Sequence, residues 1–289
     1  MGHTKTLKMP ELSVIIPTHN RADILEHCLS YLEKQTIADE IEVIVINDVE
    51  DDKFTALSAK TDWQIPIRFT TIPPCHQGVA RNAGMEMAQA STLLFIGDDI
   101  LLAPDACERH ISAHTHASTP IAVLGSVEWD PKIKITKVMI WLMQSGWQFG
   151  YPKIKAYAGT FVPDTIQHQF SYTANMSLPT KVAKRTPFRE DITLYGWEDI
   201  EWGMRLRDAG VRLYFEPHAI GFHHHVITLE DSLRRMETIG KSAVLLRREV
   251  PTFDRVPQGW KLMAYQIFSH FPTMAGKHRK AFLRGINNA

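Results

Sequence analysis

Four clusters of residues in this sequence could do chemistry. Asp98-Asp99 closes the apolar run Thr92–Ile96. Two adjacent acids there repel each other unless a cation joins them. Carboxylates suit a hard ion such as Mg2+ or Mn2+, which usually shares substrate phosphates; a solvated turn or a helix cap is the plainer role. His223-His224-His225 ends another apolar stretch. In an extended strand His223 and His225 share one side and His224 points away, and imidazoles complete many mixed metal sites. Glu198-Asp199 follows Tyr195-Gly196-Trp197 at a predicted helix start. First-turn acids complement the helix dipole, but that role does not call for Gly-Trp before them. Aromatic surface beside a carboxylate suits a sugar, whose C–H faces stack on rings while the acid takes a hydroxyl proton. The stretch from Gly78 to Gly84 is rich in small residues, but it has neither the Gly-Lys-Ser/Thr of a P-loop nor Gly-x-Gly-x-x-Gly. Arg81 within it could reach a phosphate or a base, or form a structural ion pair.

The elements that must hold these residues alternate in type. Short β-branched runs at Leu12–Ile16, Ile41–Ile46, Ile67–Ile72 and Thr92–Ile96 predict strands. Arg21–Lys34, Phe54–Lys60 and Gly78–Ala90 predict the helices between them. Strand–helix–strand order predicts right-handed crossovers and a largely parallel sheet, with ligands beyond the carboxyl ends of its strands. Those ends are polar: Thr18-His19-Asn20, Asn47-Asp48 and Asp98-Asp99. Further on, Pro104–His116 reads as a helix and Ile121–Glu128 as a strand. Glu198–Ala209 reads as a helix closed by Gly210. Val211–Phe215 and Ala219–His225 read as two strands separated at Pro217, and Thr228–Arg248 as a long helix. Residues 131–170 show weak periodicity and yield no assignment. The expected organisation is a sheet domain over residues 1–226 and a helical extension over 227–289.

Composition narrows the function classes. The 289 residues contain 32 Lys+Arg and 32 Asp+Glu, so no global field draws the chain to nucleic acid. Three scattered cysteines with no Cys-x-x-Cys exclude a disulfide scaffold or a zinc knuckle. The polar start lacks the apolar core of a signal peptide, and no run approaches a spanning helix. A cytoplasmic protein, touching a membrane at most from the side, is expected. Aromatic stretches at Met139–Tyr151 and Trp260–Phe271 are expected to fill the interior, with homodimer contacts, as Trp and Met mostly fill interiors; resting on a membrane is the alternative.

In order along the chain, five segments closely resemble the inverting family-two glycosyltransferases of the GT-A fold. They are Ser13-Val14-Ile15-Ile16-Pro17-Thr18-His19-Asn20-Arg21, Ile46-Asn47-Asp48, Gly78 to Gly84, Phe95-Ile96-Gly97-Asp98-Asp99, and the run from Trp197-Glu198-Asp199 to Leu206. Asn175-Met176-Ser177, with Phe188-Arg189-Glu190-Asp191, resembles that family's acceptor-side segment. The resemblance implies an α/β GT-A fold, a Rossmann-like, mostly parallel sheet flanked by helices. It implies that Pro17, Thr18 and Asn20 line a nucleotide pocket, that Asp48 accepts the N3–H of a uracil-like base, and that Arg81 and Asp98 lie near base or phosphates. Asp99 and His223 would hold the metal, Mn2+ or Mg2+. Asp199 would be the catalytic base with Glu198 beside it, and Trp197 and Asn175 would meet acceptor or sugar. Gly97 stands where the family's metal motif usually begins with an acid, and Asn47 where a first Asp is frequent.

The implied activity is hexosyl transfer from a nucleotide-diphosphate sugar, of UDP type, to an acceptor hydroxyl with inversion. A growing polysaccharide, a lipid-linked sugar or a small molecule would serve as acceptor. Two rivals remain at this stage: a non-catalytic nucleotide-sugar binder, kept open by Gly97, and a metal-dependent hydrolase, which needs a dinuclear ligand set not found here.

Overall fold

The computed structural model describes residues 9–193 and 195–289. Its first half is β1 (Leu12–Thr18), α1 (Ala22–Leu32), β2 (Ile41–Asn47), α2 (Asp52–Ser58), β3 (Ile67–Thr71), α3 (Gln77–Met87) and β4 (Thr92–Ile96). β2 and β4 flank β1, β3 flanks β2, and all are parallel. β2 and β4 are buried at every position, and their sequences are continuous apolar runs because helices cover both faces. Along β1, Val14 and Ile16 pack with Leu25, Leu29 and Leu32 of α1. Ile15 points to the other face, with Met85 of α3 and Phe95 of β4. Strand order reverses direction between β1 and β4, and a crevice opens there beyond the strand ends.

In the second half the sequence marks the helices and strands at residues 104–128 and 198–225, but not the elements between them. After β5 (Ile100–Leu102), α4 (Ala106–Thr115) and β6 (Ile121–Trp129), residues 131–170 fold into α5 (Lys137–Ser145), α6 (Tyr151–Ile154) and the two-residue β7 (Thr160–Phe161). β8 (Asn175–Pro179) then runs antiparallel between β4 and β6, and turns a parallel sheet into a mixed one. α7 (Thr180–Arg185), α8 (Glu198–Asp208) and β9 (Arg212–His223) follow. Pro217 does not end a strand, as the sequence suggested. β9 is continuous, and residues 217–219 bulge out between the pairs Gly125–Glu216 and Ser126–Ile220. A bulge is where a residue without an N–H is tolerated in a sheet. The full order is β3-β2-β1-β4-β8-β6-β9-β5, with β7 on β9.

Three helices complete the chain: α9 (Leu229–Glu249), α10 (Trp260–Ser269) and α11 (Met274–Asn287). α9 starts in a capping box between Thr228 and Asp231. α9 and α11 pack on α8 through Ile200, Met236, Ile239, Ala243 and Phe282. Trp141 and Trp147 pack against His278 of α11. The segment Trp260–Phe271 departs from the interior role expected of it: Trp260, Met263, Ile267, Phe268 and Phe271 are exposed. Among the described residues no helix is long and apolar enough to cross a membrane.

Candidate active site

A cleft of about 730 Å³ opens beyond the carboxyl ends of β1, β2 and β4. Thr18 and Asp98 join the two strands at the reversal point, the Thr18 hydroxyl donating to Asp98 Oδ2 at 2.7 Å. Asn20 has a left-handed backbone (φ 52°), which Asn adopts more readily than most residues. It turns the chain so that His19 and Arg21 line the cleft while Asn20 itself is exposed and outside the lining. The pocket contact expected of Asn20 is thereby corrected to a turn role. Pro17, Thr18, Asp48, Arg81 and Asp98 do line the cleft.

Asp98 and Asp99 are approached from two sides, by a guanidinium and by two imidazoles. Arg21 pairs with Asp98 and also donates to Asp99 Oδ2 at 3.0 Å. On the far side, His223 Nε2 and His225 Nδ1 lie 3.4 and 3.7 Å from the same Oδ2. His224 points away and pairs with Asp130 at 2.6 Å. Burial pushes the Asp99 carboxyl up, but His223, Arg21 and His225 outweigh it and hold the carboxyl well below the usual carboxylate range. Asp98 shifts the other way, because burial exceeds the pull of Arg21.

One ligand atom each from Asp99, His223 and His225 falls within 4.8 Å of the others. The His223 ring stacks on Trp129, and its Nδ1 is buried without a hydrogen-bond partner among the described residues. One oxygen and two imidazole nitrogens make a mixed site: the carboxylate suits Mn2+, and the imidazoles, which suit it less than Zn2+, complete the set. An added Cβ at Gly97 would lie 2.9 Å from Asp99 Oδ1. The glycine therefore gives that carboxylate room where a side chain would press on it.

Asp48, at the end of β2, holds His19 at 2.7 Å and is approached by the Cys75 amide at 3.5 Å. Asn47 beside it is buried; its amide donates to the Val49 carbonyl and its Oδ1 has no partner.

The opposite wall comes from the start of α8. Trp202, fully buried against Phe95 and Phe188, anchors the helix to the sheet. Gly196 has φ +114° and packs against Ile239, a conformation and a closeness that a side chain would oppose. Its amide donates to Glu198 at 3.1 Å, and Arg81 reaches the other Glu198 oxygen at 3.4 Å. Among the described residues Asp199 accepts only the Ile200 amide, at 2.8 Å. Burial first, and then the neighbouring Glu198 carboxylate, push the Asp199 carboxyl up to about 7 against the pull of Arg81 and Arg235.

Two expected contacts are corrected. Trp197 donates its Nε1–H to the Ile239 carbonyl at 2.8 Å and packs edge-on to Phe253, which ties α8 to α9 outside the cleft lining. Asn175 is fully buried: its amide donates to the Ser126 and Ala219 carbonyls, and its oxygen meets His110. It joins β8 to β6 and β9 and cannot reach a sugar. Arg21, His19, His225 and Arg235 line the cleft without having been assigned roles there from the sequence. Arg21 lay within a recognised segment, and His225 shared a strand side with His223; nothing local marked Arg235. A second cavity of about 740 Å³ shares Gln148, Phe149 and His223 with the cleft and is lined beyond them by Trp129, Met143, Tyr151 and Phe215.

A curled α/β sheet with acids beyond its strand ends, a cleft at the reversal point and helices after the sheet define a GT-A glycosyltransferase fold. The mannosyltransferase PcManGT from Pyrobaculum calidifontis, solved in complex with GDP-Man and Mn2+, matches 98% of this chain and 76% of its own at TM-score 0.62 and 18% identity. S. aureus TarS 1-349 in complex with UDP matches 90% and 70% at TM-score 0.56 and 16% identity. The model of Glycosyl transferase family 2 matches residues 13–174, more than half of the chain, and the chain belongs to that family. Validoxylamine A glucosyltransferase of Streptomyces hygroscopicus subsp. jinggangensis is 28% identical over 230 residues, 71% of this chain and 53% of that protein. Glycosyltransferase AglE of Haloferax volcanii is 24% identical over 270 residues, 87% and 77%. The chain spans about half to two thirds of the length of the first three curated relatives.

Proposed function

We propose that this protein transfers a hexose from a UDP-sugar to an acceptor hydroxyl with inversion at the anomeric carbon, and that the reaction needs a divalent ion. The observation that carries the reading is the division of one cleft: an Asp98-Asp99-Arg21-histidine cluster on one wall and Asp199, with its raised pKa, on the other. Perturbed carboxyls in a cleft favour catalysis over mere binding. Asp48 accepts the base N–H, with His19 beside it. Asp99, His223 and His225 would hold Mn2+ or Mg2+, which supplies Lewis-acid stabilisation of charge on the leaving diphosphate. Arg21 fixes the two acids. Asp199 takes the acceptor hydroxyl proton as that oxygen attacks from the face opposite the leaving group. Glu198 is held by Arg81 and the Gly196 amide, so it positions the acceptor rather than attacking the sugar. One base without a second, nucleophilic carboxylate is the inventory for single displacement, in contrast with retaining hydrolases. The aromatic second cavity beside the cleft supports an acceptor with an apolar portion, such as a lipid-linked sugar, over a purely polar chain.

Calorimetry with UDP and GDP, each with Mn2+ or with excess chelator, tests the donor half, and hydrolysis of a UDP-sugar panel tests turnover. The expected result is tight UDP binding that needs the ion. Full hydrolytic activity in excess chelator would remove the metal, and equal affinity for GDP would remove the base preference.

A further inference from the structure

The helix α10 is inside out. On a surface helix the apolar stripe ordinarily faces the protein. Here Leu262 and Tyr265 turn inward, while Trp260, Met263 and Ile267, at three- and four-residue spacing, form the outer face together with Phe268. Trp260 is 75% exposed, Met263 62% and Ile267 59%; Phe271 extends the stripe past the helix end. Five of the eleven large exposed hydrophobics among the described residues fall in this twelve-residue stretch. The charge around it is equally uneven. Residues 255–289 carry six Lys and Arg and no Asp or Glu, in a chain whose charges otherwise balance. Lys261, Lys277 and Lys280 are exposed. Arg279 lies over the rings of Trp147, Tyr265 and Phe268, which fixes α11, α10 and the end of α5 as one unit. An exposed Trp and aliphatic stripe in an acid-free segment with exposed lysines has the composition of a helix lying in a bilayer interface.

We propose that α10, with the lysines of α11, docks the protein on an anionic lipid bilayer, the apolar stripe entering the headgroup boundary and the lysines meeting lipid phosphates. A second copy of this chain fits less well, because a symmetric contact would bring the exposed lysines of two copies together. Docking does not depend on the glycosyl-transfer reading, and its test needs no turnover.

Flotation of the full chain with vesicles of phosphatidylcholine, with and without 30% phosphatidylglycerol, decides it. The chain is expected to float with the anionic vesicles, to stay behind with the neutral ones, and to be released at roughly 0.5 M salt as screening shortens the reach of the lysines. Lys261→Gln should weaken the partition about fivefold, and Lys277→Gln with Lys280→Gln further by similar steps. Ile267→Glu should abolish flotation while leaving the melting temperature and UDP affinity unchanged, because the side chain is exposed and outside the cleft. Absence of flotation with anionic vesicles would overturn the proposal. A concentration-dependent dimer in sedimentation velocity, lost in Ile267→Glu, would then assign the face to copy-to-copy contact. Flotation unaffected by Ile267→Glu would equally overturn the role of α10.

Discussion

Asp99 and Asp199 are the same residue type in the same cleft, Asp99 buried and Asp199 half-buried, and their environments drive them apart. Asp99 meets Arg21, His223 and His225, so its carboxyl stays ionised well below the usual range. Asp199 is desolvated and meets another carboxylate, Glu198, and its compensating arginines are weaker, so its carboxyl rises to about 7. A permanently ionised acid suits a cation, and one poised near neutrality suits proton transfer. Backbone origin reinforces the difference. The Asp99 wall hangs from the ends of buried parallel strands, whereas Asp199 sits on a helix whose position depends on α9 through Trp197.

The largest expected effect breaks the comparison at the base. Asp199→Asn should cut turnover roughly 10²–10⁴-fold, the usual share of acid–base catalysis, with Mn2+-dependent UDP affinity near wild type by calorimetry. Asp99→Asn should do the converse, lowering ion-dependent UDP affinity and, through the lost electrostatic stabilisation, turnover by roughly 10²–10³-fold. Unchanged chelator sensitivity in that variant would move the ion elsewhere. Asp48→Ala should weaken UDP binding by ~1–3 kcal/mol, the loss expected for a buried hydrogen-bonding charge, and should leave the ion requirement intact.

A smaller effect sharpens the base side through stability. A carboxyl whose folded pKa is raised from its ordinary value to about 7 favours the protonated form in the fold. Its contribution is therefore harmless below about pH 4 and destabilising as pH rises from there to about 7. Asp199→Asn should raise the melting temperature at pH 8 and leave it unchanged at pH 4. Equal shifts at both values would refute the linkage.

The two walls also differ in how far they could be read from sequence. Each donor-side acid follows a continuous buried run, as Asp48 follows Ile41–Ile46, and the run places the acid without help from the rest of the chain. Arg21, His225 and Arg235 entered only when strands and helices distant in sequence converged. Trp197 and Asn175 have side chains suited to sugar, yet their direction is set by partners remote in sequence, the Ile239 carbonyl and the Ser126 and Ala219 carbonyls. β9 read as two strands because Pro217 falls on a bulge that a one-dimensional pattern cannot show. Residues 131–170 gave no period because aromatic and apolar residues there serve several small clusters rather than one face. Residue type alone puts the apolar residues of α10 in the interior, and type does not say which of them meet the protein.

The pH dependence of kcat/KM for UDP-sugar turnover at saturating Mn2+, measured for wild type and Asp199→Asn together, tests the division of labour most directly. In the free enzyme the base must lose its proton before it can act, so the wild-type value should rise tenfold per pH unit below a midpoint near 7 and level off above it. In Asp199→Asn the residual rate should lose that rise. If the variant keeps the same rise, the titrating group belongs to the histidine side of the cleft and Asp199 is not the base.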